Sequence, residues 1–386
     1  MPVAATGTAA PLEFRDVTKS FPGMETPALD HLSFEVPAGE VCVLVGPSGC
    51  GKTTAMRLVN RMIDMTSGDI LIDGQSIKGR QPADLRRAIG YVIQHVGLFP
   101  HKNILDNITV VPKLLGWDRK RCAERAEELL DLISLPQEMG SRYPSQLSGG
   151  QRQRVGVARA LAADPPLMLM DEPFGAIDPI NRDRLQNEFL RLQQAIKKTV
   201  VFVTHDIDEA IKMGDRIAIL REGGDLVQFD TPDRILAEPA DDFVARFVGA
   251  DRGLKRLALT KLDEIDLETA TLVREGESVG PEAANGTGNV VLVDNDGRPV
   301  GDLRGHQMSA VRAADARPLE RTLRSADSLR DALSMMMTDS LRPLLVLDAE
   351  GRVAGYVSID LINDALRRVR GSDSDSDIDL EKTAAT

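Results

Sequence analysis

The residues best suited to do chemistry begin with a glycine-rich run, Gly46-Pro-Ser-Gly-Cys-Gly-Lys52-Thr53, which matches the pattern GxxxxGK[ST]. The run follows the apolar segment VCVLV and precedes the helical pattern TTAMRLVNRMI, the context that a phosphate-binding loop requires. Glycines let backbone N–H groups surround phosphates, and the following helix N-terminus adds positive potential. Lys52 would bring a charge to the β- and γ-phosphates, and the Thr53 hydroxyl can bind Mg²⁺. The predicted phosphate-site residues are Gly46, Pro47, Ser48, Gly49, Cys50, Gly51, Lys52, Thr53 and Thr54.

A pair of carboxylates follows a second apolar segment, LMLMDE at residues 167–172. Asp171 is placed to hold Mg²⁺ directly or through water, and Glu172 can act as the general base on an attacking water. The same pattern also fits a strand that simply ends in solvent. If this strand lies in the same sheet as the phosphate loop, the catalytic interpretation is favoured.

A third motif, LSGGQRQRVGVARAL at residues 147–161, reads as a capped helix with a glycine-rich start. Ser148 can cap the helix, and Gly149 and Gly150 leave its first N–H groups open to an anion. An ordinary capped helix would begin in the same way. This motif therefore indicates a function only in combination with the other motifs.

The order of the motifs resembles that of a known protein family. The phosphate loop, then LSGGQ, then the DE pair, then His205 after VVFVT make residues 12–250 resemble the ATP-binding-cassette (ABC) ATPases. The resemblance implies an α/β P-loop NTPase fold with a helical subdomain, ATP and Mg²⁺ as ligands, and ATP hydrolysis. It places Phe21 against the adenine ring. It also makes Gln94 and His205 neighbours of the γ-phosphate, catalytic together with Glu172, and adds Gln94 to the Mg²⁺ ligands.

The resemblance further implies that two chains share each ATP site in a homodimer. Ser148, Gly149, Gly150 and Gln151 would contact the γ-phosphate that the other subunit binds. Asp178, in GAIDP, resembles the loop that passes between the two sites.

Three longer segments resemble one branch of the family, the ATPase subunits of importers for glycine betaine, carnitine, choline or proline. They are VGLFPHKNILDNI (96–108), MDEPFGAIDPINRDRLQ (170–186) and VTHDIDEAIKMGDRIAIL (203–220). The branch implies integral-membrane permease subunits as partners, an extracytoplasmic solute-binding protein as an indirect one, and a peripheral position at the cytoplasmic face of the membrane. Two alternatives stay open: an importer ATPase for another small solute such as an amino acid, and a soluble ABC ATPase acting on nucleic acid or ribosomes.

Composition weighs against several other classes of protein. Among 386 residues, 47 Lys and Arg against 59 Asp and Glu give a net charge of −12, which argues against a general nucleic-acid binder. No apolar run approaches the roughly 18 residues that span a bilayer, and the opening segment lacks signal-peptide features. Three cysteines are too few for a disulfide framework, so we expect a soluble, cytoplasmic chain. Cys50 lies beside Lys52 at a helix N-terminus and is expected to be an accessible, reactive thiol.

Short apolar runs must form the framework that positions these motifs. They are VCVLVG (41–46), LMLMD (167–171), VVFVTH (200–205) and RIAIL (216–220), all apolar on both faces, as is typical of buried parallel strands. A helical pattern between them carries Ala126, Leu129, Leu130 and Ile133 on one stripe. Alternating strands and helices predict an α/β domain with a mainly parallel sheet, ending near Gly249.

An internal repeat follows, because VVLVDNDGRPVGDL (290–303) aligns without gaps on LLVLDAEGRVAGYV (344–357). Each copy reads as a hairpin, and an amphipathic helix pattern at 325–337 precedes the second copy. Before the first copy, glycines and a proline within residues 272–285 argue against a regular helix. The predicted domains are the ABC ATPase (12–250), a smaller α+β domain (251–370) and an acidic disordered tail (371–386).

This second domain resembles the tandem cystathionine-β-synthase (CBS) modules that often end members of the branch. In such modules a G-h-h-[ST]-x-D stretch often holds ribose or phosphate. The second copy offers Gly355, Ser358 and Asp360, whereas the first copy has Arg304 and His306 in the corresponding stretch. We therefore expect at most one nucleotide-type site there, and a purely structural or dimerising role stays open.

Overall fold

The chain divides into two compact units, Met1–Val248 and Gly249–Thr386. A computed structural model describes residues 8–93, 97–175, 177–279, 289–303, 310–319, 321–338 and 341–371. Among these described residues, no helix combines the length and the apolar character needed to cross a bilayer.

The described residues of the first unit include ten strands. They are β1 (Leu12–Lys19), β2 (Leu29–Val36), β3 (Val41–Val45), β4 (Ser67–Ile72), β5 (Gln75–Ser76), β6 (Ile89–Val92), β7 (Leu167–Asp171), β8 (Thr199–Val203), β9 (Arg216–Arg221) and β10 (Asp225–Asp230).

The central sheet has six strands in the order β10-β9-β3-β8-β7-β6. Five of them run parallel, and β10 joins the edge antiparallel to β9. Every residue of β3 and of β8 is buried, because both faces of this sheet are covered. The apolar runs of the sequence therefore form buried parallel strands, and the prediction of an α/β fold with a mainly parallel sheet is confirmed.

A second, antiparallel sheet has the order β2-β1-β4-β5. The rings of Phe14 on β1 and Phe34 on β2 stack with centroids 4.6 Å apart. Both rings belong to the same apolar cluster as Leu44 of the central sheet and Met56 of the helix that follows β3. The antiparallel sheet thus helps to bury the core beside the glycine-rich loop.

Ten α-helices also lie in the part of the first unit that the structure describes. They are α1 (Lys52–Val59), α2 (Pro82–Arg87), α3 (Ile104–Ile108), α4 (Val110–Leu114), α5 (Arg119–Leu132), α6 (Gly149–Leu161), α7 (Pro179–Ile196), α8 (Ile207–Met213), α9 (Pro232–Ala237) and α10 (Asp242–Val248).

Helices α3 to α6 lie between β6 and β7 in the chain and form a helical part of the unit. The predicted apolar stripe on α5 is confirmed, since Ala126, Leu129, Leu130 and Ile133 are all buried. Asp118 caps α5 by accepting a hydrogen bond from the Arg121 N–H.

The second unit contains the repeat as two matching three-stranded sheets. Its elements are α11 (Arg252–Leu259), β11 (Thr271–Val273), β12 (Val290–Val293), β13 (Pro299–Asp302), β14 (Thr322–Arg324), α12 (Leu329–Thr338), β15 (Leu344–Leu347), β16 (Val353–Val357) and α13 (Ile359–Gly371).

Each sheet of this unit pairs one parallel strand with an antiparallel hairpin, in the orders β11-β12-β13 and β14-β15-β16. Val291 and Val293 of one sheet share an apolar cluster with Leu345 and Tyr356 of the other. Both predicted hairpins are therefore present, and they pack on each other.

The helix predicted before the second copy is confirmed as α12, with Leu329, Ala332 and Met336 buried. The expectation that the first copy lacks such a helix falls partly on residues 280–288, which lie outside the described residues, as do Arg304 and His306. Helix α13 ends at Gly371, and the rest of the predicted tail also lies outside them.

Candidate functional site

The glycine-rich loop connects the buried end of β3 to the start of α1. A Cβ on Gly46 would lie 2.1 Å from the Leu220 carbonyl oxygen, so no larger residue fits there without a shift. Gly51 caps α1 with φ of 96°, a left-handed conformation that strains residues with a side chain. The loop's turn and its close approach to β9 therefore both require glycine.

Lys52 lies inside this loop and is only 7% exposed. Its Nζ donates hydrogen bonds to the carbonyl oxygens of Gly46 and Pro47, each at 2.8 Å. A buried ammonium is stable only when its donors are satisfied, and here the loop itself supplies the acceptors. A phosphate oxygen is an alternative acceptor of the opposite charge, which makes the loop a fitting anion site.

A cleft of about 270 Å³ opens in front of this loop. It is lined by Ser48, Gly49, Gly51, Lys52, Thr53, Thr54, Glu172 and His205. Residues from three separate parts of the sequence therefore meet at one cleft, as the motifs predicted.

Glu172 and His205 face each other in the cleft, with Glu172 Oε1 3.1 Å from His205 Nδ1. The N–H of Glu172 donates to the Val203 carbonyl oxygen at 3.0 Å, which ties the end of β7 to the end of β8. Glu172 adopts φ of 43°, an uncommon conformation for a residue with a side chain. Such strain is often found at functional sites, where neighbouring contacts hold it in place.

Asp171 precedes Glu172 of this pair in the sequence and is suited to bind a divalent cation. Burial raises the pKa of its carboxyl group, and the Glu172 carboxylate raises it further, whereas Arg57 and Lys52 oppose the shift. A cation bound beside Asp171 would relieve this repulsion. Mg²⁺ prefers oxygen ligands and needs few from the protein when phosphates supply the others, so Asp171 and the Thr53 hydroxyl suit it.

The cleft does not gather every residue that the sequence assigned to the site. Among the described residues, its lining lacks these members of the predicted set: Phe21, Gly46, Pro47, Cys50, Ser148, Gly149, Gly150, Gln151, Asp171 and Asp178. Gln94, predicted to sense the γ-phosphate and bind Mg²⁺, lies outside the described residues.

The LSGGQ segment forms a capping box at the start of α6. The Ser148 hydroxyl accepts a hydrogen bond from the Gln151 N–H at 3.3 Å, and Gln151 Oε1 accepts one from the Ser148 N–H at 2.9 Å. A Cβ on Gly149 would meet nothing within 4 Å, and Gly149 is exposed. This helix start is therefore open to an anion from outside the chain.

Phe21 and Asp178 lie at other exposed or half-buried places of the first unit. The Lys19 ammonium is 4.8 Å from the centroid of the half-buried Phe21 ring. Asp178 caps α7 by accepting a hydrogen bond from the Asn181 N–H at 3.1 Å.

The expectation that Cys50 is an accessible thiol is wrong, because its side chain is fully buried. Its Sγ lies 3.5 Å from Lys52 Nζ, beneath the loop, where a Cβ on Gly46 would come within 2.8 Å of it. The same tight turn that exposes backbone N–H groups to the cleft directs this side chain inward. Cys42 is also fully buried, and burial raises the pKa of its thiol.

Glu209, on α8, is a functional neighbour that the sequence reasoning missed. This carboxylate is 7% exposed and accepts hydrogen bonds from the Thr204 hydroxyl and, at 2.9 Å, from Gln186 Nε2 of α7. The Asp206 N–H donates to the Thr204 hydroxyl, and Asp206 caps α8. The residues on both sides of His205 are thus held by one buried network. The acidic residue four positions after His205 was the only signal in the sequence.

The second unit holds a cleft of about 260 Å³ beside the Gly355–Asp360 stretch. Four carboxylates line it, those of Asp266, Glu268, Asp360 and Asp364. The Ser358 hydroxyl, expected to hold ribose or phosphate, donates instead to Glu268. This arrangement disfavours an anionic ligand at the one position where the sequence left a nucleotide site possible.

The chain is similar to proteins of one known family. Residues 29–175 match the family model described as ABC transporter. The chain is 46% identical over 367 residues to the osmoprotectant import ATP-binding protein OsmV of Salmonella typhimurium, covering 92% of this chain and 96% of the relative. It is 41% identical to the choline transport ATP-binding protein OpuBA of Bacillus subtilis, covering 92% and 81%.

A solved structure is also similar to the first unit. It is the dimeric, post-hydrolysis form of the ATP-binding cassette MJ0796 bound to ADP and Pi, with a TM-score of 0.51 and 32% sequence identity. The match covers 57% of this chain and 98% of that one.

The buried carboxylate of Glu209 generates a pH-dependent prediction. Burial raises its pKa, so the folded protein holds this proton more tightly than the unfolded chain does. Wild-type protein therefore loses stability as the pH rises from below the ordinary glutamate pKa of about 4.3 through the raised pKa of the folded state. The Glu209→Gln variant lacks this titration. We expect the free energy of unfolding of wild type, minus that of the variant, to fall in urea titrations as the pH rises above the ordinary glutamate pKa. A difference that rises with pH would contradict the assignment.

Proposed function

Because the chain belongs to the ATP-binding subunits of ABC transporters, in the branch of osmoprotectant importers, we propose that it hydrolyses ATP to drive the import of a compatible solute. The solute class is that of glycine betaine, carnitine, choline or proline. The supporting observation is the 46% identity to a named osmoprotectant import subunit across 92% of this chain. The membrane path belongs to separate permease subunits, and an extracytoplasmic binding protein delivers the solute to them. The chain then lies peripherally at the cytoplasmic face of the membrane, without a nucleic-acid partner.

The glycine-rich loop binds the phosphates of ATP in this proposal. Backbone N–H groups of residues 48–54 surround the phosphate oxygens, and Lys52 exchanges its carbonyl acceptors for the β- and γ-phosphates. Thr53, Asp171 and Gln94 would hold Mg²⁺, which would neutralise charge on the phosphates. Phe21 stacks on the adenine ring.

Glu172 acts as the general base in the hydrolytic step. Its carboxylate accepts a proton from the water that attacks the γ-phosphorus. The contact of 3.1 Å between Glu172 and His205 supports a paired role, in which His205 holds the γ-phosphate and the base in line with each other. Glu209 and Thr204 hold the chain on either side of that histidine.

Two copies of the chain complete each site. The open start of α6 does not line the cleft of its own chain, so Ser148, Gly149, Gly150 and Gln151 serve the ATP of the partner subunit. Asp178 lies in the loop between the two sites. An isologous two-fold pair satisfies both chains at once.

The second unit is proposed to be a CBS-like regulatory domain. Its two matching sheets, each with a parallel strand and a hairpin, support this assignment. The carboxylates around Ser358 favour regulation without a bound phosphate compound.

Substitutions at Lys52 and Glu172 separate binding from catalysis. Lys52→Ala should abolish binding of a fluorescent ATP analogue as well as turnover, because phosphate charge is left without a partner. Glu172→Gln should retain binding and lose about 10²–10⁴-fold in hydrolysis rate, because the base is removed. Lys120→Ala and Glu124→Gln, whose side chains are 86% and 60% exposed, are matched controls without effect. Equal loss of affinity in both active-site variants would contradict the roles.

The shared site predicts dimerisation driven by ATP. Glu172→Gln protein should double its mass in solution when MgATP is added, because nucleotide is trapped between two chains. A second change, Gly149→Asp, places a carboxylate at an open position facing the partner's phosphate and should keep the protein monomeric. A protein that stays monomeric with MgATP, even together with its membrane subunits, would exclude the shared site.

Solute uptake tests the proposed function itself. In cells that lack this subunit but retain its permease, wild-type protein should restore uptake of labelled glycine betaine, and Lys52→Ala should not. Restored uptake of an amino acid but not of betaine would overturn the solute class.

Removing residues 249–386 should leave ATP hydrolysis intact and flatten the dependence of solute uptake on salt concentration. Loss of ATP hydrolysis after the deletion would instead make the role of the second unit structural.

A further inference from the structure

The side chain of His205 depends on its backbone for its direction in the ATP cleft. It is 65% exposed, so packing against other side chains does not fix it. The residues on either side of it are fixed instead. The Thr204 N–H donates to the Leu44 carbonyl oxygen of β3 at 3.2 Å, and the Asp206 N–H donates to the Thr204 hydroxyl at 3.1 Å. The place of His205 opposite Glu172 therefore depends on where the Thr204 hydroxyl lies.

The Thr204 hydroxyl is held in turn by the Glu209 carboxylate of α8, to which it donates a hydrogen bond. Thr204 is 2% exposed and Glu209 is 7% exposed, so water does not readily replace a lost partner of either side chain. Without this acceptor the Thr204 side chain would be free to change its rotamer, and the Asp206 N–H would then lose its own acceptor.

Helix α7 fixes the direction of the Glu209 carboxylate. Gln186 of this helix is 5% exposed, and its Nε2 donates to Glu209 Oε1 at 2.9 Å. Burial raises the pKa of Glu209, whereas Thr204, Gln186 and the nearby charge of Arg182 oppose the shift. Apolar side chains of similar size often pack as well as such a buried polar group, without its desolvation cost. The polar contact between α7 and α8 therefore suits a role in position rather than in stability.

We propose that Gln186 is a positioning residue for the hydrolysis of ATP. Its hydrogen bond sets the Glu209 carboxylate, which through the Thr204 hydroxyl holds His205 at 3.1 Å from Glu172. Gln186 does not line the ATP cleft, so it acts through these side chains and not on the nucleotide. This inference rests on the proposed function, because it requires Glu172 and His205 to work on ATP.

The variant Gln186→Leu keeps the size of the side chain and removes its donor. In the full chain we expect kcat for ATP hydrolysis to fall about 10-fold and KM for ATP to stay within about 2-fold of wild type, because the catalytic pair is displaced while the phosphate loop is untouched. Turnover is expressed per bound fluorescent ATP analogue, so a loss of folded protein does not count as a loss of catalysis. Gln194→Leu, at an exposed position of α7, is the matched control and should behave like wild type.

Exchanging the two partners tests the hydrogen bond itself. In Gln186→Glu, two carboxylates face each other in a buried place, so kcat should fall at least as far as in Gln186→Leu. In the double variant Gln186→Glu/Glu209→Gln, the amide at position 209 can donate to the carboxylate at position 186 and still accept from the Thr204 hydroxyl. We expect this double variant to recover kcat to within about 3-fold of wild type, because the contact is restored with its direction reversed.

A cycle with His205→Ala tests whether the effect passes through the histidine. In that background Gln186→Leu should lower the remaining rate, measured with radiolabelled ATP, by less than about 2-fold, because there is no imidazole left to position. Losses that multiply in the double variant, an unchanged kcat in Gln186→Leu, or no recovery in the exchange variant would each overturn this inference and leave the proposed function standing. Absence of ATP hydrolysis by wild type would overturn both.

Discussion

The parallel pairing of β3, β8 and β7 is the constraint on which the candidate site depends. In that sheet Leu44 of β3 pairs with Val203 of β8, and Val203 pairs with Asp171 of β7, so the three strands end at the same edge. The glycine-rich loop, the Asp171–Glu172 pair and His205 each follow one of these ends. Ligand sites of open α/β sheets lie at the carboxyl ends of the strands for this reason. Segments up to 157 residues apart, from Ser48 to His205, thereby meet within one cleft.

Electrostatics at this edge favours the binding of charged ligands. Lys52 is buried and satisfied by loop carbonyls, and the Asp171 carboxyl group is held beside a second carboxylate. An ammonium group of this kind donates hydrogen bonds to phosphate oxygens, and carboxylates so close together are suited to bind a divalent metal ion. The two features complement MgATP, since each side of the ligand finds the opposite charge.

Helices that begin beside the cleft connect its chemistry to the rest of the first unit. Asp206 caps α8 directly after His205, and Glu209 of that helix is bonded to Gln186 of α7. Helix α7 in turn is capped by Asp178, and its Glu188 lies 3.2 Å from Arg154 of α6. Contacts of α7 therefore connect it both to the helix that follows His205 and to α6, which begins in the LSGGQ segment.

The two copies of the repeat in the second unit share the structure that their local sequence encodes. Both copies keep the hairpin, because the apolar strands and the acidic-glycine turn are encoded locally in each. The surroundings of Ser358 depend on Glu268, which lies 90 residues earlier and has no place in the repeated motif. The hairpin of each copy is thus repeated, whereas the contact of Ser358 depends on a residue outside the repeated motif.

The sequence by itself determined the motifs, their order, the parallel strands, the α5 stripe and the two hairpins, because each is written in local composition and in periods of 2 or 3.6 residues. It also predicted that the glycine-rich loop, Glu172 and His205 lie close together, since each follows a strand of one sheet. Only the tertiary structure decided what is buried around them. The inward turn of Cys50 and the network of Glu209 arise where segments distant in the chain pack together. No local pattern specifies those contacts, because burial depends on what lies opposite a side chain, not on its neighbours in sequence.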